Sequence, residues 1–161
     1  MRTLVLYRGL PGAGKSTRAK IQAQKAGVCS TDLHHFEADK FFELNPSGKY
    51  VFNNKLLAAA HGWCQGETRW GLSELSDSCP LVLVANTFSQ LWELEPYVDI
   101  ANEFKAALSI VDLFDAGFDD EQLAKRCIHN VPVDTIAKMR ARWEKVTLTC
   151  VDQVYSLQIS S

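Results

Sequence analysis

The 161-residue sequence has no acidic residue in its first 25 positions, no C-x-x-C pair, and no apolar run of membrane length. Each absence excludes something. A transmembrane helix needs about 18 or more consecutive apolar residues, so no span is expected. The opening MRTLVLYRGL has neither a long apolar region nor a small-residue cleavage site, so no signal peptide is expected. Cys29, Cys64, Cys79, Cys127 and Cys150 are odd in number and widely spaced. That pattern favours reduced thiols and a cytoplasmic setting (the host cytoplasm for a viral protein) over a disulfide framework or zinc site. Most of them read as small buried hydrophobes. Excess charge is missing too: a net charge of −2 excludes a uniformly basic nucleic-acid binder.

What remains is an ordinary globular composition, 47% hydrophobic and 22% charged, at a length that suits one domain over residues 1–161. Charge is unevenly spread. Residues 1–25 carry six Lys and Arg, and residues 125–145 carry six more against Asp134 and Glu144. Residues 26–124 carry sixteen acids against five bases. If folding joins the two basic segments, one edge is basic on an acidic body. Such an edge suits brief contact with a polyanion better than tight non-specific binding.

Strand-like and helix-like segments alternate. TLVLY (Thr3–Tyr7), LVLVA (Leu81–Ala85) and Leu108–Phe114 read as strands, the second apolar throughout, as a strand buried on both faces should be. Ser16–Ala26, closed by Gly27, reads as a helix. Lys55–Leu75 does too, interrupted by Gly62, Gly66 and Gly71. Glu95–Lys105 opens with Pro96 at a first helical position, and Asp134–Val146 places Ile136, Met139, Trp143 and Val146 on one side. The alternation predicts an α/β fold, a parallel sheet with helices on both faces.

Between the first strand and first helix, Gly9-Leu10-Pro11-Gly12-Ala13-Gly14-Lys15-Ser16 fits G-x-x-x-x-G-K-[ST] in full, followed by Thr17. Glycines let the backbone curl so that successive N–H groups point at phosphate oxygens, and the helix adds its positive dipole end. Lys15 is placed to reach the β- and γ-phosphates and the Ser16 hydroxyl to ligate Mg²⁺. At average glycine usage the motif arises by chance in under about one per cent of chains this long. The expected ligands are ATP and Mg²⁺, with residues 9–17 as the nucleotide-binding set.

Three classes of P-loop protein then compete. A GTPase needs D-x-x-G, and none of the glycines at 27, 48, 62, 66, 71 or 117 has Asp three positions earlier. A motor ATPase ends a buried strand in acids that hold Mg²⁺ and activate water, whereas LVLVA runs into Asn86-Thr87. A compact kinase remains. It needs a group to orient the acceptor hydroxyl and cations to cover the transferring phosphoryl. Asp39, in Phe36-Glu37-Ala38-Asp39-Lys40-Phe41-Phe42, could sit at the carboxyl edge of a second strand; a helix cap or solvated carboxylate is the equal alternative. Arg126, Arg140 and Arg142 are the cation candidates, with a solvated helix face as the alternative.

RGLPGAGKST, ADKFF, YVFNNKLLAAAHGWCQ, VANTFSQLWELEPYVDIA and LAKRCIHNVPVDTIAKMRARWE follow in fixed order from about Arg8 to Glu144. Together they resemble the polynucleotide-kinase-like P-loop kinases of bacteriophages and larger eukaryotic proteins. The resemblance implies a small helical lid at about 125–133, Asp39 as general base, Arg126 as the lid arginine on the phosphates, and Lys15 and Ser16 in their P-loop roles. It implies packing roles for Trp92 and Pro96. Two positions depart from the pattern, Ala85 where many relatives have Asp and Cys127 where many have Asn. Histidines 34, 35, 61 and 129 read as ordinary side chains, His61 with a possible place in an acceptor pocket. The implied acceptor is a hydroxyl on DNA or a nucleotide, with no membrane partner. It is either a 5′-hydroxyl end or, as in small phage enzymes of this type, a hydroxymethyl group on a modified pyrimidine such as 5-hydroxymethyluracil. At this length no accompanying phosphatase module is expected. A small-molecule kinase and a regulatory nucleotide-binding module are the alternatives.

Overall fold

The computed structural model describes residues 2–27, 34–75 and 80–146. Four strands, β1 (Thr3–Arg8), β2 (His35–Phe36), β3 (Leu81–Asn86) and β4 (Ala107–Asp112), form one parallel sheet in the order β2-β3-β1-β4. β1 is central, with Thr3 level with Leu81 on one side and with Ala107 on the other. Its side chains alternate between two cores. Leu4 and Leu6 join Val82, Val84, Ala60, Leu72 and Ile100, while Val5 and Tyr7 join Leu83, Ala85, Ala19 and Ala23. Helix α1 (Lys15–Lys25) therefore covers one face, and α2 (Leu57–Ser73) and α3 (Glu95–Glu103) cover the other. Each fully buried Leu, Val or Ile contributes about 1.5–3 kcal/mol. The fold is the α/β class expected from the alternation.

A third core of Leu10, Ala13, Leu123 and Ile136 fastens α4 (Asp120–Arg126) and α5 (Val133–Ala141) onto the phosphate loop. This small helical layer, with the segment 127–132 between its helices, contains residues 125–133, the stretch for which a lid is expected. Asp119 opens α4 with a capping box, accepting from Gln122 N–H at 2.8 Å while the Gln122 side chain accepts from Asp119 N–H at 3.0 Å.

Several boundaries differ from expectation for visible reasons. Helix α2 is continuous despite its glycines. At Gly71 a Cβ would meet the Phe36 ring at 2.7 Å, so that glycine lets α2 close onto β2. Helix α5 stops at Ala141 rather than Val146 because the following backbone is taken by tertiary bonds. Glu144 N–H donates to Ser89 O at 2.8 Å, and the Glu144 carbonyl accepts from Arg8 at 2.8 Å. Strand β4 ends at Asp112, whose carboxylate takes Phe114 N–H at 3.0 Å in a turn with Phe114 at φ 45°. Trp92, expected to pack, is 60% exposed. Its neighbour Tyr97 is the buried aromatic of that block.

Arg8 stitches these parts together from a fully buried position. Its guanidinium donates to Phe88 O at 2.7 and 3.1 Å, and pairs with Asp112 at 3.2 Å. It also lies 4.2 Å from the centre of the Trp143 ring. A buried guanidinium is tolerated only when its donors find acceptors, and here each of its three nitrogens has one. Cys64 and Cys127 are free thiols; Cys29, Cys79 and Cys150 lie outside the described residues. No helix among the described residues is long and apolar enough to cross a membrane.

Candidate active site

Strand β1 delivers the chain into the phosphate loop at Gly9, and α1 begins at Lys15. Gly9 N–H donates to Thr87 O at 3.2 Å and Leu10 N–H to Phe114 O at 2.7 Å, so the loop is pinned to the ends of β3 and β4. Gly12 has φ +83°, and a Cβ there would stand 2.2 Å from the Leu123 carbonyl oxygen. Helix α4 thus packs directly on the loop, and only glycine fits beneath it. Gly14 caps α1 at φ 92°, leaving Lys15, Ser16 and Thr17 in the first helical turn, where backbone N–H groups lack intrahelical partners. The Lys15 ammonium donates to the carbonyls of Gly9 at 2.9 Å and Leu10 at 3.1 Å. Enclosure lowers it to about 8, against the opposing pull of Glu37, Asp39 and Cys127.

The other side of the candidate site is built at the end of β2. The Asn86 side chain accepts Ala38 N–H at 2.8 Å and donates toward Cys64 Sγ at 3.6 Å and the Tyr97 hydroxyl at 3.5 Å. β3 thereby fixes the start of a 3-10 segment, Ala38–Glu43, that carries Asp39 in its first turn. Asp39 is 49% exposed; its Oδ1 accepts from the Tyr50 hydroxyl at 3.2 Å, and its Oδ2 lies 3.8 Å from His129 Nε2. Tyr50 and His129 stack with ring centres 4.2 Å apart. Burial and the neighbouring Asp39 carboxylate push the Tyr50 hydroxyl up, so it stays a donor. Glu37 is neither exposed nor idle. Burial opposes its ionisation, but the His35 imidazole 3.0 Å away, the nearby Ser16 and the charge of Lys40 bring it down to about 2.

Of the three arginine candidates, one reaches the loop. Arg126 Nε donates to Gly12 O at 3.0 Å, and its guanidinium lies 4.2 Å over the Phe118 ring. Arg140 is bound to Asp115, Asp120 and the Phe118 carbonyl, and Arg142 to Ser89 Oγ at 2.9 Å. The structure therefore brings Lys15 within electrostatic reach of Asp39 and ties Arg126 to the same loop as Lys15 and Ser16, while Arg140 and Arg142 are structural ties. His61 sits on α2 and His34 beside Trp70, while the histidine next to Asp39 is His129, in the segment between α4 and α5.

Sequence reading passed over Tyr50, which has no spacing relation to Asp39, and the part played by Glu37. Its signal was present: His35 and Glu37 stand two apart in extended chain at the end of β2, and so on one face. Ser16 and Glu37 offer oxygen donors, the class that a hard cation such as Mg²⁺ takes, so the site fits that ion. Among the described residues no group of three or more His, Cys, Asp and Glu forms a cage. A cation that keeps phosphate and water ligands needs none.

A candidate kinase from Chloroflexus aurantiacus superposes with a TM-score of 0.61 at 16% identity, over 88% of this chain and 80% of that one. The chain has the fold of P-loop kinases. It is also 31% identical over 146 residues, 88% of its length, to human NEDD4-binding protein 2, but spans only 8% of that protein. Shikimate kinase from Acinetobacter baumannii aligns over 100% of this chain and 85% of that one, with a TM-score of 0.47 at 13% identity. No family model matches the chain.

Proposed function

We propose that the protein transfers the γ-phosphoryl group of ATP to a hydroxyl on DNA, either a hydroxymethyl group of a modified pyrimidine or a 5′-hydroxyl end. The observation that carries the reading is the half-exposed Asp39 carboxylate, within electrostatic reach of Lys15 in the phosphate loop. Asp39 accepts the acceptor proton while the Tyr50 hydroxyl holds the carboxylate in place. Lys15 exchanges its carbonyl partners for phosphate oxygens, which bind an ammonium more strongly. Arg126, tethered to Gly12 O, covers the transferring group from the lid side. Mg²⁺ bound with ATP, through Ser16, would neutralise charge on the β- and γ-phosphates.

The choice of DNA over a small acceptor rests on the rim beside Asp39. Val51 and Phe52, 60% and 53% exposed, follow Tyr50, and Ile128, 83% exposed, precedes His129. An open apolar and aromatic rim suits a base with a π-face held by stacking. The test offers labelled ATP with hydroxymethyluracil DNA, 5′-hydroxyl DNA and free nucleosides in parallel. The proposal expects label on DNA, with activity falling steeply as salt rises. Label on free nucleosides alone, insensitive to salt, would replace it with a small-molecule kinase.

A further inference from the structure

P-loop proteins hold the cation of their nucleotide with the loop Ser or Thr and an acid at the end of a neighbouring strand. In this chain the neighbouring strand β3 ends in Ala85 and Asn86. Ala85 carries no ligand, and the Asn86 amide is engaged with Ala38, Cys64 and Tyr97. The missing carboxylate has a counterpart one strand away. β2 pairs with β3 in parallel register, Phe36 opposite Val84, so the next residue, Glu37, comes level with Ala85. Ala85 faces the α1 side of the sheet, in the core that holds Ala19 and Ala23. Phe36 and Val84 share the opposite core, so alternation turns Glu37 toward α1 as well. There Ser16, the loop residue whose hydroxyl meets the cation, is close enough to favour its ionised form, and Lys15 is within electrostatic reach. The His35 imidazole, 1% exposed, holds Nε2 3.0 Å from Glu37 Oε1 and fixes the side chain from behind. Only 16% of the Glu37 side chain is exposed.

From this geometry we infer that Glu37 is the protein carboxylate that holds the nucleotide's divalent cation, in partnership with Ser16. It occupies the level of Ala85 from the adjacent strand. The inference rests on the phosphotransferase reading but concerns metal and ATP binding, which can be measured without an acceptor.

The alternative for Glu37 is a counter-charge for buried His35, and the two roles separate in one experiment. Mn²⁺ affinity of the ATP complex is read by electron paramagnetic resonance, and ATP affinity in EDTA by calorimetry, for wild type and Glu37→Gln. A metal-holding Glu37 predicts Mn²⁺ binding about tenfold weaker or more in the variant. ATP without metal should bind as well or better, because a carboxylate facing the phosphates has been removed. Parallel weakening of both affinities, or unchanged Mn²⁺ affinity, overturns the assignment. Should Glu37→Gln fail to fold, Glu37→Asp keeps the charge beside His35 while withdrawing the carboxylate by one methylene. It should weaken Mn²⁺ severalfold at constant metal-free ATP affinity, and an unchanged Mn²⁺ affinity there also overturns the assignment. Wild-type protein that binds no ATP at all would bring down the phosphotransferase reading itself.

Discussion

The two walls of the candidate site are made by different means. The phosphate loop is a backbone device: its glycines permit the curve, β3 and β4 pin its N–H groups, and α4 sits on Gly12. The proposed acceptor wall is a side-chain device. Asp39, Tyr50 and His129 come from three separate segments, and the rim around them exposes Val51, Phe52 and Ile128. A backbone device imposes residue types at fixed offsets in sequence. A side-chain device can be assembled from any segments the fold brings together.

The comparison breaks most sharply at the two charged groups on which it turns. Lys15→Met should cut phosphoryl transfer by about 10³-fold, since the loop loses its one cation on the transferring group. Asp39→Asn should lower kcat by about 10²–10⁴-fold while ATP affinity, measured by titration, stays within about twofold. Comparable loss of ATP binding in Asp39→Asn would mean that the walls are not separate devices. Gly12→Ala tests the backbone wall: its Cβ meets the Leu123 carbonyl at a positive φ, and strain of this kind costs about 1–3 kcal/mol, read in denaturant unfolding.

A pH profile sharpens the loop side further. With the Lys15 ammonium lowered to about 8 by enclosure, the ATP-free protein loses this charge as pH rises through 8. Phosphate favours the charged form, so ATP affinity should weaken from pH 8 toward 10 and binding there should take up a proton. Calorimetry in buffers of different ionisation enthalpy detects that uptake. The smallest effect belongs to the rim. Ile128→Ser, at a position 83% exposed, should leave stability within about 0.5 kcal/mol and raise the acceptor KM with kcat retained.

The same division explains what was legible in the sequence. The phosphate loop, its flanking strand and helix, and the two-sided apolar strands were all readable, because N–H geometry and sheet burial dictate residue types locally. Asp39 stood out as a carboxylate among apolar residues. Tyr50 did not, because its link to Asp39 exists only after residues 43–50 fold back. Charge arithmetic identified two basic segments, and folding does join them through Arg126 on Gly12 and Arg8 on the Glu144 carbonyl. Yet Arg8 is paired with Asp112, and Arg140 with Asp115 and Asp120. The basic edge left for phosphate is therefore narrower than the residue count implied. The end of α5 was misjudged for a related reason: its apolar spacing continues through Trp143 and Val146, but Trp143 serves as a platform for Arg8.

The central claim is that Asp39 activates a DNA hydroxyl for attack on ATP held by the phosphate loop. Its most direct test is transfer of label from γ-labelled ATP to hydroxymethyluracil DNA and 5′-hydroxyl DNA by wild type and Asp39→Asn, with ATP binding measured on both. The account predicts label on DNA with wild type, its loss by about 10²-fold or more in the variant, and near-equal ATP binding. Label transferred equally well by Asp39→Asn, or ATP binding without transfer to any DNA hydroxyl, would contradict it.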